Sequence, residues 1–123
     1  MGLDFDKWNH ICFTWSSANG DYRFYKDGVL VGSGSGMARG RKINSGGTTV
    51  IAQDQDTVGG GFDIDQAFVG YVTELNVWGV ELSESDILAQ YHNCHITIGS
   101  VNEWRDFEDG VRGGTEVIPP TCC

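Results

Sequence analysis

The sequence predicts an all-β domain carrying one short helix, and three observations point to it. Glycine supplies 18 of the 123 residues, about twice the usual share of ~7%, which suits short strands and tight turns. Asn19-Gly20 and Asp27-Gly28 each stand between runs rich in aromatic and β-branched residues, the pattern of strands joined by turns. One segment alone, LSESDILAQYH, carries a helix-start signal.

Taken in order, WNHICFTW reads as a first strand, DYRFYK as a second and VLVG as the start of a third, so the first forty residues form a meander. Residues 32–47 are rich in Gly and Ser. A linker has this composition, but TTVIAQ resumes as a strand at once, which favours a long surface loop. FVGYVTELNVW, residues 68–78, is a further expected strand. Ser83 ahead of Glu84, Ser85 and Asp86 is an N-cap with acids in the first turn, and predicts a helix over about 83–91. Leu82, Ile87, Leu88 and Tyr91 then share one side of it. Residues 99–123 are expected to return to strand-like pieces ending in a Cys tail, with Pro119 and Pro120 confining any pairing to an edge.

Composition narrows the function. A hydrophobic fraction of 40% is that of a packed globule. The formal net charge of −9, from eight Lys and Arg against seventeen Asp and Glu, repels phosphate backbones and argues against nucleic acid. No run approaches the ~20 apolar residues of a membrane span. Residues 1–10 lack the basic-then-apolar form of a signal peptide, so a targeting segment is expected outside this chain if the protein is secreted. The cysteines are Cys12, Cys94, Cys122 and Cys123. None forms a CxxC pair, which speaks against structural zinc. The adjacent pair Cys122-Cys123 points to an extracellular, disulfide-permissive setting. Vicinal cysteines fit the S–S torsion poorly, so Cys94 is expected to bridge to Cys122 or Cys123, and Cys12 has no obvious partner.

HICFTWSS, residues 10–17, fits the pentraxin signature H-x-C-x-[ST]-W-x-[ST] at every fixed position. QDQDTVGGGFDIDQ with the following VG and NVW resembles the calcium-loop region of that family, LSESDI its helix start, and SVNEWRDF its near-terminal strand. Four segments in family order, from about Trp8 to Pro120, make the resemblance strong. It implies a lectin-like, concanavalin-type antiparallel jelly-roll sandwich with one short helix. A complete domain of the family has about 200 residues, so the resemblance implies that this chain is the C-terminal part, with N-terminal strands missing and a core left open. It implies too that the partner of Cys12 is absent from this chain. The implied activity is calcium-dependent recognition of phosphocholine-like phosphorylated head groups or of sugars. The protein would be secreted or extracellular, as a homo-oligomeric ring or as a module of a larger extracellular protein.

The acidic loop 52–66, AQDQDTVGGGFDIDQ, carries the chemistry. Calcium takes six to eight oxygen ligands at ~2.3–2.6 Å, and this stretch offers carboxylates and amides with no nitrogen or sulfur ligand. By resemblance, Asp54, Gln55, Asp56, Asp63 and Gln66 are the expected ligands, with two calcium ions in the complete domain. Gln55 would give its backbone carbonyl and Gln66 its side-chain amide oxygen. Asp54 and Asp56 are two apart and point the same way on an extended segment. Gly59, Gly60 and Gly61 let the chain double back to bring Asp63 and Gln66 over them. Carboxylates ~4–5 Å apart repel by up to a few kcal/mol at an effective dielectric near 20, and a divalent ion reverses that term. The family commonly has glutamate where Asp54 and Asp63 stand, so each carboxylate here reaches about 1.5 Å less.

A solvated acidic loop is the bland alternative for any such cluster. An EF-hand fails because position five would be Val58, position twelve is Asp65 rather than Glu, and no helices flank the loop. A jelly-roll glycoside hydrolase would need E-x-D-x-(x)-E spacing; Asp54-x-Asp56 has no glutamate nearby, so no catalytic residue is expected. A purely structural, calcium-stiffened module of an adhesion or receptor ectodomain is the fourth reading. His10 is expected to be a hydrogen-bonded structural residue, and His92 and His95 surface residues. Trp8, Trp15, Trp78 and Trp104 are expected in the core rather than on a sugar-stacking platform.

Overall fold

A computed structural model of the chain describes residues 2–93 and 99–119. They divide into two compact units, one built from residues 1–41 and 74–123 and the other from residues 42–73.

In the first unit, strands β1 (Ile11–Ser16), β2 (Asp21–Lys26) and β3 (Val29–Gly34) form one antiparallel sheet in that order. Both expected turns are present. Asp27 and Gly28 take φ of 51° and 78°, the pair of left-handed residues that lets a two-residue hairpin follow the twist of its strands. The first turn is a longer loop, residues 17–20, closed by Gly20 N–H donating to Ser16 O at 2.9 Å. A bulge between Phe24 and Tyr25 offsets β2 against β3, so that Phe24 faces Gly32 while Tyr25 faces Leu30.

Helix α1 (Glu84–His92) begins at Ser83, whose Oγ accepts from Asp86 N–H at 3.1 Å while Ser83 N–H donates to the Asp86 carboxylate at 3.3 Å. This reciprocal box satisfies two donors the helix would otherwise orphan. Ile87 is fully buried, as expected, whereas Leu88 and Tyr91 are each more than two-fifths exposed. A methyl at Gly28 would lie 2.8 Å from Leu88 Cδ1, so α1 rests directly on the β2–β3 turn. The His10 and Tyr91 rings stand 5.9 Å apart at the same end of the sheet.

Alternation in the strands gives the sheet two unequal faces. One carries the buried Thr14 and Tyr25, and the Glu84 charge in the first turn of α1 acts on the Tyr25 hydroxyl, whose pKa burial pushes up. The other presents Phe13 against Phe24 with ring centroids 4.8 Å apart, and leaves Ile11, Phe13 and Val29 exposed. Among the described residues Tyr25 and Ile87 are the buried hydrophobics, so one sheet and one helix do not enclose a core.

Three expected strands take other forms. Residues 48–53 form no strand, because Ala52 adopts φ of 70° and interrupts the extended run. Within residues 68–78, Gly70 at φ 151° and Glu74 at φ 55° do the same, leaving among the described residues a single bridge from Val77 to Asn102. Trp104–Phe107 is a 3-10 turn rather than a strand. There the Asp106 carboxylate accepts from Glu103 N–H at 2.8 Å, and this local cap outcompetes pairing. No helix among the described residues is long and apolar enough to cross a membrane.

Candidate calcium loop

The second unit contains the acidic loop. Phe68 N–H donates to Ala52 O at 2.9 Å, which closes the segment 52–68 at its base. Within it, Thr57 and Gly60 exchange both backbone hydrogen bonds, at 3.3 and 3.0 Å. Gly59 and Gly61 take φ of 69° and 72°. A Cβ on Gly61 would lie 2.7 Å from the Asp56 Cβ, so the chain doubles back tightly enough that only glycine fits.

Gln55 is the internal brace. Its Oε1 accepts from the Thr48 hydroxyl at 2.9 Å and from Gly59 N–H at 2.8 Å, while its Nε2 donates to Thr48 O at 3.0 Å. Both ends of the amide are thereby occupied, and its backbone carbonyl is the oxygen left for another role. Asp54 Oδ1 accepts from Gln55 N–H at 2.9 Å. Asp63 Oδ1 accepts from Asp65 N–H at 3.0 Å and caps the 3-10 turn Ile64–Gln66.

Asp54, Asp56, Asp63 and Gln66 are exposed, and Gln55 is half-buried. An open depression of about 430 Å³ is lined by Gly47, Thr48, Gln55, Asp56, Thr57 and Val58. The donor set is oxygen throughout, which suits a hard cation. Among the described residues, however, no three His, Cys, Asp or Glu side chains gather closely enough to hold a metal ion. The structure therefore builds the doubled-back loop without drawing Asp54, Asp56 and Asp63 into one cluster. Sequence reasoning missed Thr48 and the Ala52–Phe68 closure; Thr48 sat in a run read as a strand, and a backbone clasp has no residue signature.

The other singled-out residues are structural or lie outside the description. The main-chain N–H of His10 donates to the Asp27 carboxylate at 3.0 Å, and burial lowers the pKa of its ring against the opposing pull of Asp27. Cys12 is a free thiol whose pKa burial pushes up, so it is unreactive as it stands. His92 is exposed beside Tyr91. Cys94, His95, Cys122 and Cys123, and with them the expected bridge, lie outside the described residues. The tryptophans are not fully buried: Trp8 is half exposed, Trp15 donates its indole N–H to Met37 O at 2.7 Å, and Trp104 packs on Phe107. With one sheet and one helix there is too little enclosed volume to cover indoles.

Comparison with known proteins decides the family. The sequence model of the pentaxin family matches residues 3–119. The chain belongs to the pentraxin family. Neuronal pentraxin-2 of Cavia porcellus is 38% identical over 118 residues, covering 95% of this chain and 27% of that protein. The sushi, von Willebrand factor type A, EGF and pentraxin domain-containing protein 1 of Rattus norvegicus is 38% identical over 112 residues, 89% of this chain and 3% of that protein. The crystal structure of the native heptameric SAP-like pentraxin from Limulus polyphemus superposes with a TM-score of 0.77 at 30% identity. The match covers 85% of this chain and 48% of that one. The chain thus spans about a quarter of the neuronal relative and half of the solved pentraxin. Pentraxins are non-catalytic recognition proteins, and the hydrolase reading falls with family membership.

Proposed function

We propose that residues 1–123 form the C-terminal portion of a pentraxin jelly-roll domain that recognises phosphorylated head groups or carbohydrates through calcium. The observation that carries this reading is the Gln55 brace. By tying its side chain to Thr48 and Gly59 N–H, the loop fixes the backbone between Asp54 and Asp56 and leaves exposed carboxylate oxygens beside it. Asp54, Asp56 and Asp63 would hold calcium through their carboxylates, Gln55 through its main-chain oxygen and Gln66 through its amide. Two ions would be held in the complete domain. Asp63 and Gln66 would close on the first pair about the Gly59–Gly61 bend, which has the backbone freedom to let them.

The exposed face of Ile11, Phe13 and Val29 supports a second sheet packing there in the complete sandwich. The heptameric assembly of the Limulus relative supports a homo-oligomeric ring, and the multidomain rat relative supports a module of a larger extracellular protein as the other setting. Either setting would be secreted or extracellular.

The test is calorimetry on the intact parent protein. Millimolar calcium should release or absorb measurable heat, Asp54→Asn with Asp56→Asn should abolish it, and retention on phosphocholine or agarose resin should require calcium. No heat with the wild-type protein ends the calcium reading; heat without calcium-dependent retention leaves a structural calcium module instead.

A further inference from the structure

The chain passes between its two compact units at residues 41–42 and again at 73–74. At the first crossing it carries Arg39, Arg41 and Lys42, followed by Ile43. No Asp or Glu occurs between Asp27 and Asp54, and no Lys or Arg between Lys42 and Arg105. Lys42 thus has no carboxylate near it in sequence, and among the described residues it is in no ion pair.

The backbone changes character at the same point. Up to residue 41 it is clamped: Gly36 N–H donates to Asn19 O at 3.1 Å, Met37 N–H to Gly20 O at 3.0 Å, Gly40 N–H to Ser17 O at 2.7 Å and Arg41 N–H to Ala38 O at 3.0 Å. At residue 48 it is held again, through the Gln55 amide. Residues 42–47 between these anchors are exposed, and among the described residues their backbone makes no hydrogen bond. Ile43 is 87% exposed, and a Cβ added at Gly46 or Gly47 would meet nothing within 4 Å. Nothing has to unfold to free this segment.

We infer that the Lys42–Ile43 bond is a processing site for an extracellular endoprotease of basic specificity, one whose specificity pocket carries a carboxylate. An extended peptide is gripped through main-chain hydrogen bonds, so a cleavable segment needs its own N–H and C=O groups free, as those of 42–47 are. Hydrolysis adds one water across the amide. The water oxygen joins the Lys42 carbonyl carbon to leave a carboxylate, and both water protons end on the Ile43 nitrogen as an ammonium. Residues 43–73 then stay joined to the rest of the first unit at 73–74 alone, so the cut is a nick ahead of the acidic loop rather than a release. The class of enzyme rests on the extracellular setting proposed above; the susceptibility of the bond does not.

Geometry disfavours the other seven basic residues. Arg23 and Lys26 are in the β2 ladder, and Arg39 and Arg41 belong to the clamped turn. Lys7 pairs with Asp4 at 3.1 Å, and its carbonyl accepts from Asn9 Nδ2 at 3.0 Å. Arg105 pairs with Glu103 in a 3-10 turn. Arg112 is exposed and is the strongest rival. Its carbonyl accepts from Thr115 N–H at 3.4 Å, and Glu108, Asp109 and Glu116 stand within four residues of it, where they repel the pocket carboxylate.

The experiment is limited digestion of the full-length parent protein with trace trypsin in calcium, read by intact mass and N-terminal sequencing. The first new terminus should be Ile43. Lys42→Gln should slow the first cut by on the order of tenfold or more, and Ile43→Pro should block the same bond with every charge kept, because proline offers the cleft no N–H. Ser83→Ala, which weakens the helix cap far along the chain, should leave the rate unchanged, since a bond that needs no unfolding is cut independently of global stability. A first cut after Arg112 or Lys7, or one that Lys42→Gln leaves at the wild-type rate, overturns the site. A first cut that Ser83→Ala accelerates overturns it too, as a product of unfolding, and so does a wild-type protein left whole.

Discussion

Thr48 and Gln55 hold each other by two hydrogen bonds, hydroxyl to amide oxygen at 2.9 Å and amide N–H to main-chain carbonyl at 3.0 Å. Residue 48 lies in the approach to the acidic loop and residue 55 near its start, so the pair ties the approach to the loop. Through Gly59 N–H the same amide also anchors the triple-glycine bend. Three neutral hydrogen bonds, each worth about 0.5–1.5 kcal/mol net, outweigh the entropy of a side chain that is only half-buried.

Gln55→Ala should therefore loosen the loop more than its exposure suggests. We expect faster hydrogen exchange at Gly59 and a calcium affinity reduced by roughly three- to tenfold, with little change in melting temperature. Gln55→Glu keeps the acceptor but loses the donor to Thr48 O, and its exchange rate should fall between the two. Equal exchange at Gly59 in all three proteins contradicts the brace.

Gly28→Ala tests the seat of α1. Its φ of 78° is left-handed and its new methyl would meet Leu88 Cδ1 at 2.8 Å. The backbone term costs about 1–2 kcal/mol, and the displaced helix adds to it. Thermal unfolding of the parent domain should show the loss, whereas Gly36→Ala, with no atom within 4 Å, should show the backbone term alone.

Ser83→Ala removes the acceptor for Asp86 N–H and should cost about 1 kcal/mol. Asp86→Asn keeps the geometry but weakens the return bond to Ser83 N–H, and should cost less. The measurement is the change in unfolding free energy by denaturant titration.

The parts of the fold that the residues announced are those decided locally. Asn19-Gly20, Asp27-Gly28 and the Ser83–Asp86 box act within four positions, and the elements they delimit lie where they were expected to within a residue or two, except that the first strand begins at Ile11 rather than Trp8. Strands at 48–53 and 68–78 were misread because their apolar patterning says nothing of a partner. Ala52 and Glu74 turn left-handed for reasons outside their own side chains. In the acidic loop the ligand types and the glycine bend were legible from composition. The Thr48–Gln55 brace was not, because a polar pair seven apart in irregular chain follows no period.

Stability should fall on acidification because of His10. Burial holds its pKa below the ordinary 6.5, with Asp27 pulling the other way, and its Nδ1 is buried without a partner. Asp27 faces it from the β2–β3 turn, and Tyr91 with the neighbouring His92 from α1. The unfolded chain therefore takes up the proton more readily than the folded one. His10's contribution is complete above about pH 6.5, declines as pH falls through the folded value, and is flat below it. His10→Gln should flatten that part of the melting-temperature profile. A wild-type profile with no slope on the acid side of 6.5, or a slope that survives His10→Gln, rules out this source.

Calcium should order the loop rather than reshape the sheet. Asp54, Asp56 and Asp63 are exposed and ungathered, so drawing them around a cation must restrain residues 54–66, while β1 to β3 keep a ladder that owes the ion nothing. Hydrogen exchange on the intact parent protein should slow across 54–66 in calcium relative to chelator and stay constant across 11–34. Asp63→Asn should remove most of the added protection, because Asp63 must cross the Gly59–Gly61 bend to reach the ion. Protection that is the same with calcium and with chelator would mean that these carboxylates are solvated and nothing more.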